Sequence, residues 1–173
     1  EMNGKIERKF ATLYGKTRSM LNAARLPHNL RKGLWAQCAK TACQLENIIV
    51  LHENDKSPAE HFYGENPKWS KYLRTFGEVA IVSDDKHRKI RSKLANKGLP
   101  ALFVGYPENH PSDVYEFMKL DNRALIMSRN VTWLSQNYGE YMNIDRVQVL
   151  QTIDEDWDEE IHEIGVFEAG RNM

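Results

Sequence analysis

Cysteine is scarce in these 173 residues: only Cys38 and Cys43 are present. Five positions apart in a helical pattern, they point about 140° away from each other at roughly 100° per residue. That geometry suits neither a local disulfide nor a shared zinc, so the expectation is two small buried residues on helix faces. The six histidines fall at 28, 52, 61, 87, 110 and 162, without metal spacing among themselves or with the cysteines. No glycine-rich phosphate loop, G-x-S-x-G elbow or Cys/His nucleophile pair occurs. No run of about 18 apolar residues and no signal peptide is found, and the chain starts at Glu1 without an initiator Met. The reading is a soluble, intracellular chain with no membrane partner.

Net charge is also lacking, but the zero formal total hides a split. Residues 1–139 hold 22 Lys+Arg against 14 Asp+Glu, a net of +8, whereas residues 140–173 hold 2 against 10, a net of −8. A basic body with an acidic extension fits a nucleic-acid binder whose tail is solvated or self-masking; a linker kept acidic for solubility is the other reading.

What is present falls into two textures. From Asn3 to about Ala24, Ile6, Phe10, Leu13, Tyr14, Met20, Leu21 and Ala24 recur at helical steps, with Lys5, Arg8, Lys9, Lys16 and Arg18 on the other faces. Pro27 stops this helix, and a second, from about Asn29 to Asn47, is expected to bury Leu34, Trp35, Cys38, Ala42 and Leu45. Ser57-Pro58-Ala59-Glu60 spells a capping box opening a short helix that Gly64 closes. After Pro67 come β-branched and aromatic runs bounded by turns: Gly77–Val82, Leu99–Tyr106, Asp113–Leu120 and Ala124–Trp133, with Asp121-Asn122 as a hairpin turn. No crossover helix separates them, which predicts an antiparallel sheet closed into a small barrel. Trp35, Phe76, Phe103, Tyr106, Tyr115, Phe117 and Trp133 read mainly as packing residues, with Tyr106 and Tyr115 open to a stacking role.

Two features carry chemistry. Glu7 follows Asn3-Gly4, read as a turn placing a carboxylate near the positive end of a helix beside cations, where it can serve a metal; spacing alone favours an ordinary first-turn glutamate. The stretch 86–97 holds Lys86, Arg88, Lys89, Arg91, Lys93 and Lys97 and no acid. Such a cluster neutralises backbone phosphates without reading bases, or serves as a solvated loop.

The order of short motifs resembles the copia-type retrotransposon Pol polyproteins. Asn3-Gly4-x-x-Glu7-Arg8-Lys9, Thr12-Leu13, Arg18-Ser19-Met20-Leu21, Leu26-Pro27 and Leu34-Trp35-Ala36 resemble the end of their integrase catalytic core. Ser57-Pro58-x-Glu60 with Phe62-Tyr63-Gly64, Phe76-Gly77, Phe103-Val104-Gly105-Tyr106 and Ser128-Arg129-Asn130-Val131 resemble the Src-homology-3-like segment that follows it. The family commonly has Asn and Arg where this chain has Phe10 and Ala11.

The resemblance implies an α+β fold. The helical C-terminal part of an RNase H-like core, 1–50, and a linker with a short helix, 51–66, precede a small SH3-like β-barrel, 67–141; residues 142–173 match none of these motifs and read by composition as an acidic, partly disordered tail. It implies that Glu7 is the last carboxylate of a D,D,E site binding two Mg²⁺ ions. Both aspartates are absent here, so this chain alone is expected to be inactive and to need no cofactor. DNA contacts are expected at Lys5, Arg8, Lys9, Lys16, Lys86, Arg88, Lys89, Arg91, Lys93 and Lys97. The rest of the integrase, a multimeric parent, and action in the nucleus after a cytoplasmic particle stage are implied in the same way. A stand-alone nucleic-acid or chromatin-binding module, or a protein-interaction adaptor, are the alternatives.

Overall fold

The computed structural model describes residues 2–49, 55–83 and 98–144. The acidic run at 154–160 and the basic stretch 86–97 lie outside the described residues.

Helix α1 spans Met2–Ala23 and α2 spans His28–Ile49. Thr12, Thr17 and Ser19 each donate a hydroxyl to the carbonyl four residues earlier, which satisfies these hydroxyls along a helix rich in non-alanine residues. The helix ends where Arg25 adopts a φ of 51°, and Pro27 then lends its carbonyl to the amides of Leu30 and Arg31, starting α2. An Arg31–Asn22 hydrogen bond and a Cys38 thiol donating to the Thr17 carbonyl at 3.5 Å hold the two helices as a hairpin.

Ser57 and Glu60 form the expected capping box at helix α3 (Pro58–Tyr63), which ends at Gly64 with φ 83°. A 3₁₀ turn, Lys68–Tyr72, leads into the sheet. Its strands are β1 (Glu78–Ser83), β2 (Gly98–Gly105), β3 (Tyr115–Lys119), β4 (Leu125–Ser128) and β5 (Val131–Asn137), all antiparallel in the order β4-β3-β2-β1-β5. A one-turn helix, α4 (Tyr138–Tyr141), opens with a second capping box, Asn137 and Glu140.

The α+β class stands, but the sheet is not closed. β4 and β5 are its two edges and share no ladder. It is nevertheless rolled: the Trp133 ring on β5 lies 5.6 Å from Phe117 and 5.1 Å from Tyr115, next to or on β3. With β2 and β1 intervening, a flat sheet would hold those strands roughly 14 Å apart at about 4.8 Å per step. The run expected as one strand, Ala124–Trp133, is two strands meeting at Arg129-Asn130, and β5 continues to Asn137. β5 carries two extra residues against β1 between Glu78 and Ala80, with Ser135 at φ 55°; that irregularity bends the edge away from the ladder that closure would need.

Alternation along the strands sorts the core into two clusters, one on each face of the sheet. On the concave side, Ala80, Val82, Ala101, Phe103, Tyr106, Tyr115 and Phe117 pack with Trp69 and Trp133. On the convex side, Leu21, Ala24, Leu26, Leu30, Leu34 and Cys38 of the helical hairpin cover Phe76, Val79, Leu102, Val104 and Met118. The hairpin is thus seated on the sheet. Thr41 donates to the Val104 carbonyl at 3.0 Å and Gln44 to that of Tyr106 at 3.2 Å, pinning α2 to the end of β2. Glycine is required at two of these close approaches: a Cβ on Gly105 would stand 2.6 Å from the Thr41 hydroxyl, and one on Gly77 (φ 81°) 2.2 Å from the Ala24 Cβ.

Two burial expectations change. Cys43 is exposed, while Cys38 is buried among hairpin residues that raise its thiol to about 12 through desolvation, against a lowering influence of Arg31. Trp35 is exposed because the sheet covers the Leu30-Leu34-Cys38 side of α2 and leaves the adjoining side open, while Leu45, in line with Cys38, is only partly buried against the concave-side cluster.

Candidate nucleic-acid interface

The first half of α1 is largely exposed, so the residues singled out there stand on an open surface. Glu7, Lys5, Arg8 and Lys9 are exposed and Lys16 is half-buried. The Asn3-Gly4 pair is helical and not a turn. Glu7 accordingly sits in the second turn, where the attraction of the helix start for a carboxylate has largely faded.

The cations divide by their partners. Lys16 Nζ lies 3.1 Å and Lys9 Nζ 3.9 Å from the Glu46 carboxylate of α2, which ties part of the basic face to the hairpin itself. Arg8 donates its Nε to the Gly4 carbonyl at 3.0 Å, which extends the guanidinium along the helix with its terminal nitrogens outward. Lys5 and Arg8, three residues apart, share one side of the helix, and Glu7 lies on another.

Beside the charges runs an apolar stripe. Ile6, Phe10 and Tyr14 recur every four residues, and Phe10–Tyr14 and Tyr14–Trp35 ring centroids are 6.3 and 6.4 Å apart. One helical step separates this ladder from Glu7. Phe62 and Tyr63, in edge contact at 4.8 Å, form a second exposed aromatic pair at the end of α3.

Among the described residues no group of three or more His, Cys, Asp or Glu converges on one point. A two-metal centre needs several carboxylates around the ions. The residues present beside Glu7 do not supply that set, and no metal-dependent step is derived for this chain.

The aromatic residues open to base stacking are core residues. Tyr106 is 2 % exposed, stacks on Trp69 at 4.5 Å and accepts the Arg74 amide at its hydroxyl, 2.7 Å away. Burial drives its phenol up to about 12, the Arg74 amide opposing. Tyr115 is equally enclosed. Arg74 lies over the Trp133 ring at 4.4 Å and approaches Glu78 at 3.8 Å; burial raises the Glu78 carboxyl, with Arg74 and the Thr75 backbone pulling it down. The sequence reading missed this Arg74–Trp133–Glu78–Tyr106 group, since its members come from separate strands and the preceding turn. It also missed the capping box at Asn137-x-x-Glu140, which has the same spelling as the one found at Ser57-x-x-Glu60.

Comparison with known proteins finds the chain similar to a retrotransposon-related Pol polyprotein. One match is to the "Retrovirus-related Pol polyprotein from transposon TNT 1-94" of Nicotiana tabacum, 31% identical over 139 residues, covering 76% of this chain. The chain spans 9% of that polyprotein's length. No family model and no solved structure matches. Among the described residues no helix is long and apolar enough to cross a membrane.

Proposed function

We propose that this chain is the part of a retrotransposon integrase that holds DNA by its phosphates, and that it contributes Glu7 to a D,D,E site whose aspartates and Mg²⁺ belong to the rest of the enzyme. The observation that carries the reading is the exposed start of α1. Lys5, Glu7 and Arg8 are all exposed on the first turns of this helix, in a chain similar to a Pol polyprotein. A carboxylate that serves a reacting phosphodiester needs cations close by to hold the flanking phosphates, and this helix carries both within its first two turns. The 86–97 stretch adds six cations between β1 and β2. The binding is sequence-tolerant, because nothing in this set reads base edges. Src-homology-3-like describes the rolled sheet, and RNase H-like the core to which α1 and α2 belong. A multimeric integrase acting on nuclear DNA, after assembly in a cytoplasmic particle, is the setting that this assignment entails.

Fluorescence anisotropy of the full chain with a short labelled duplex between 50 and 200 mM salt tests the proposal. Each phosphate neutralised contributes about −0.9 to the slope of log affinity against log salt. Lys5→Ala with Arg8→Ala should therefore flatten the slope by roughly 1 to 2. Replacing Lys86, Arg88, Lys89 and Arg91 by Ala should flatten it further, whereas Glu7→Gln should leave affinity unchanged or slightly tighter. A chain that ignores the duplex at 50 mM salt refutes the reading and favours the protein-interaction adaptor.

A further inference from the structure

Strand β4 is an edge of the sheet, and no described strand pairs with its outer side. The Lys119 amide donates to the Ala124 carbonyl at 2.9 Å, so by antiparallel alternation Ile126 and Ser128 bond inward to β3 while the backbone groups of Leu125 and Met127 point outward. The strand also lacks the usual protection of an edge. No proline, lysine or bulge interrupts Leu125–Ser128, whereas the other edge, β5, bends at Ser135. On the convex face Leu125 and Met127 are 46 and 51 % exposed.

Between this edge and α2 lies a cavity of about 190 Å³, walled by Gly33, Leu34, Gln37, Met118, Arg123 and Leu125 among others. Small-molecule sites run to roughly 300–1,000 Å³, so this one is sized for a single side chain. The lining says which kind. Gln37 Oε1 is buried and meets no donor among the described residues, while Leu34, Met118 and Leu125 are apolar, which calls for an N–H or O–H on an apolar body. Gly33 sits inside a helix, where glycine is unfavourable, and a Cβ there would meet nothing within 4 Å; its missing side chain keeps the cavity open. Arg123 is the one charged residue of the lining, and Glu116 lies across the ladder from Met127, so β4 runs from a cationic to an anionic end.

The cavity is distinct from the Glu7 surface. The Arg31–Asn22 and Glu46–Lys16 contacts place α1 on one side of α2, and at roughly 100° per residue Gly33 and Gln37 lie on the opposite side.

We propose that an extended peptide of a partner protein adds to β4 as a sixth, antiparallel strand, setting a Tyr or Trp side chain into this cavity with its donor on Gln37 and, two residues later, an Asp or Glu beside Arg123. Antiparallel addition runs the peptide from Met127 toward Arg123, which brings the acid to the cationic end and away from Glu116. Alternation puts both side chains on the convex face. A second copy of β4 is a poorer fit. Pairing Leu125 with Met127 of the copy would set Arg123 opposite the copy's Arg129, and no donor would reach Gln37. The inference stands independently of DNA binding.

Selection of phage-displayed random peptides on the full chain, followed by calorimetry with the most enriched sequence as a synthetic probe, tests it. Enriched peptides should share an aromatic-x-acid core in which the aromatic is Tyr or Trp. Probe affinity should fall at least tenfold in Gly33→Leu and in Met127→Pro and at least threefold in Arg123→Asp, and stay within twofold in Trp35→Ser, on another side of α2. Bound probe should slow hydrogen exchange at the Leu125 and Met127 amides of the native chain, a readout that decides alone if a variant loses its native circular dichroism. Absence of the aromatic-x-acid core, full affinity in a folded Gly33→Leu, or unchanged exchange at both amides with probe bound each overturn the proposal. Concentration-dependent protection of the same amides without probe assigns the edge to a second copy and overturns it as well.

Discussion

Replacing Gly77 with alanine should separate the helical hairpin from the sheet more effectively than most larger changes. Gly77 holds φ at 81°, donates its amide to the Phe103 carbonyl at 2.9 Å and accepts from the Tyr138 amide at 3.0 Å. Two costs add at this position. A non-glycine residue at positive φ loses roughly 1–2 kcal/mol. The new methyl would also stand 2.2 Å from the Ala24 Cβ and 3.3 Å from its Cα. Backbone cannot swing aside as a side-chain tip does, so the end of α1 must lift, and overpacking of that kind costs typically about 1–3 kcal/mol. The sum, about 2–5 kcal/mol, is a large share of the roughly 5–15 kcal/mol that a domain has. Gly33 is the matched control: it is exposed on α2, with nothing within 4 Å of an added Cβ. Gly33→Ala should stabilise by about 0.5–1 kcal/mol through helix propensity. Urea titration of the full chain, followed by tryptophan fluorescence and by far-ultraviolet circular dichroism, reads both. A loss below about 0.5 kcal/mol in Gly77→Ala would show that the α1 end yields freely and that the hairpin is not fixed on the sheet.

Two further outcomes follow from the buried groups. In native protein one thiol, Cys43, should react with a thiol reagent and Cys38 should not, with both reacting in denaturant; fast native reaction of two thiols would contradict the seating of α2. For Glu78, whose folded-state carboxyl titrates above its unfolded value, the stability linked to that shift is present below the ordinary glutamate range and lost as pH rises through the raised value. Stability of the native chain relative to Glu78→Gln should therefore fall from weakly acidic to neutral pH, and a relative gain over that interval would mean that the Arg74 pairing outweighs burial.

Local chemistry was legible wherever a few neighbouring residues decide the outcome. Ser57-Pro58-x-Glu60 and Gly64 specify both ends of α3, and the Leu30, Leu34, Cys38 and Ala42 spacing specifies the buried side of α2. Trp35 was misjudged because periodicity gives the width of an apolar side and not how much of it the sheet covers. The split at Arg129-Asn130 was hidden because β-propensity continues across it, while the bend depends on β5 pairing with the distant β1. On the interface, residue types at 5, 7 and 8 announced charge, but Glu46, which occupies Lys9 and Lys16, lies on another helix. The comparison to a Pol polyprotein agrees with the motif order, which survives where individual motifs are short.

The ladder joining β1 to β5 has a consequence for synthesis. Val82 pairs with Val131, and Ala24 receives the Gly139 amide, so both sides of the core are completed by residues made after the rest of the sheet. Loop closure between such distant partners slows folding and leaves earlier strands with open edges meanwhile. On a ribosome, the hairpin and β1 through β4 would wait for the 131–139 segment to clear the exit tunnel. A cut introduced before that moment would release pieces that cannot finish folding, whereas one made afterwards would meet a closed unit.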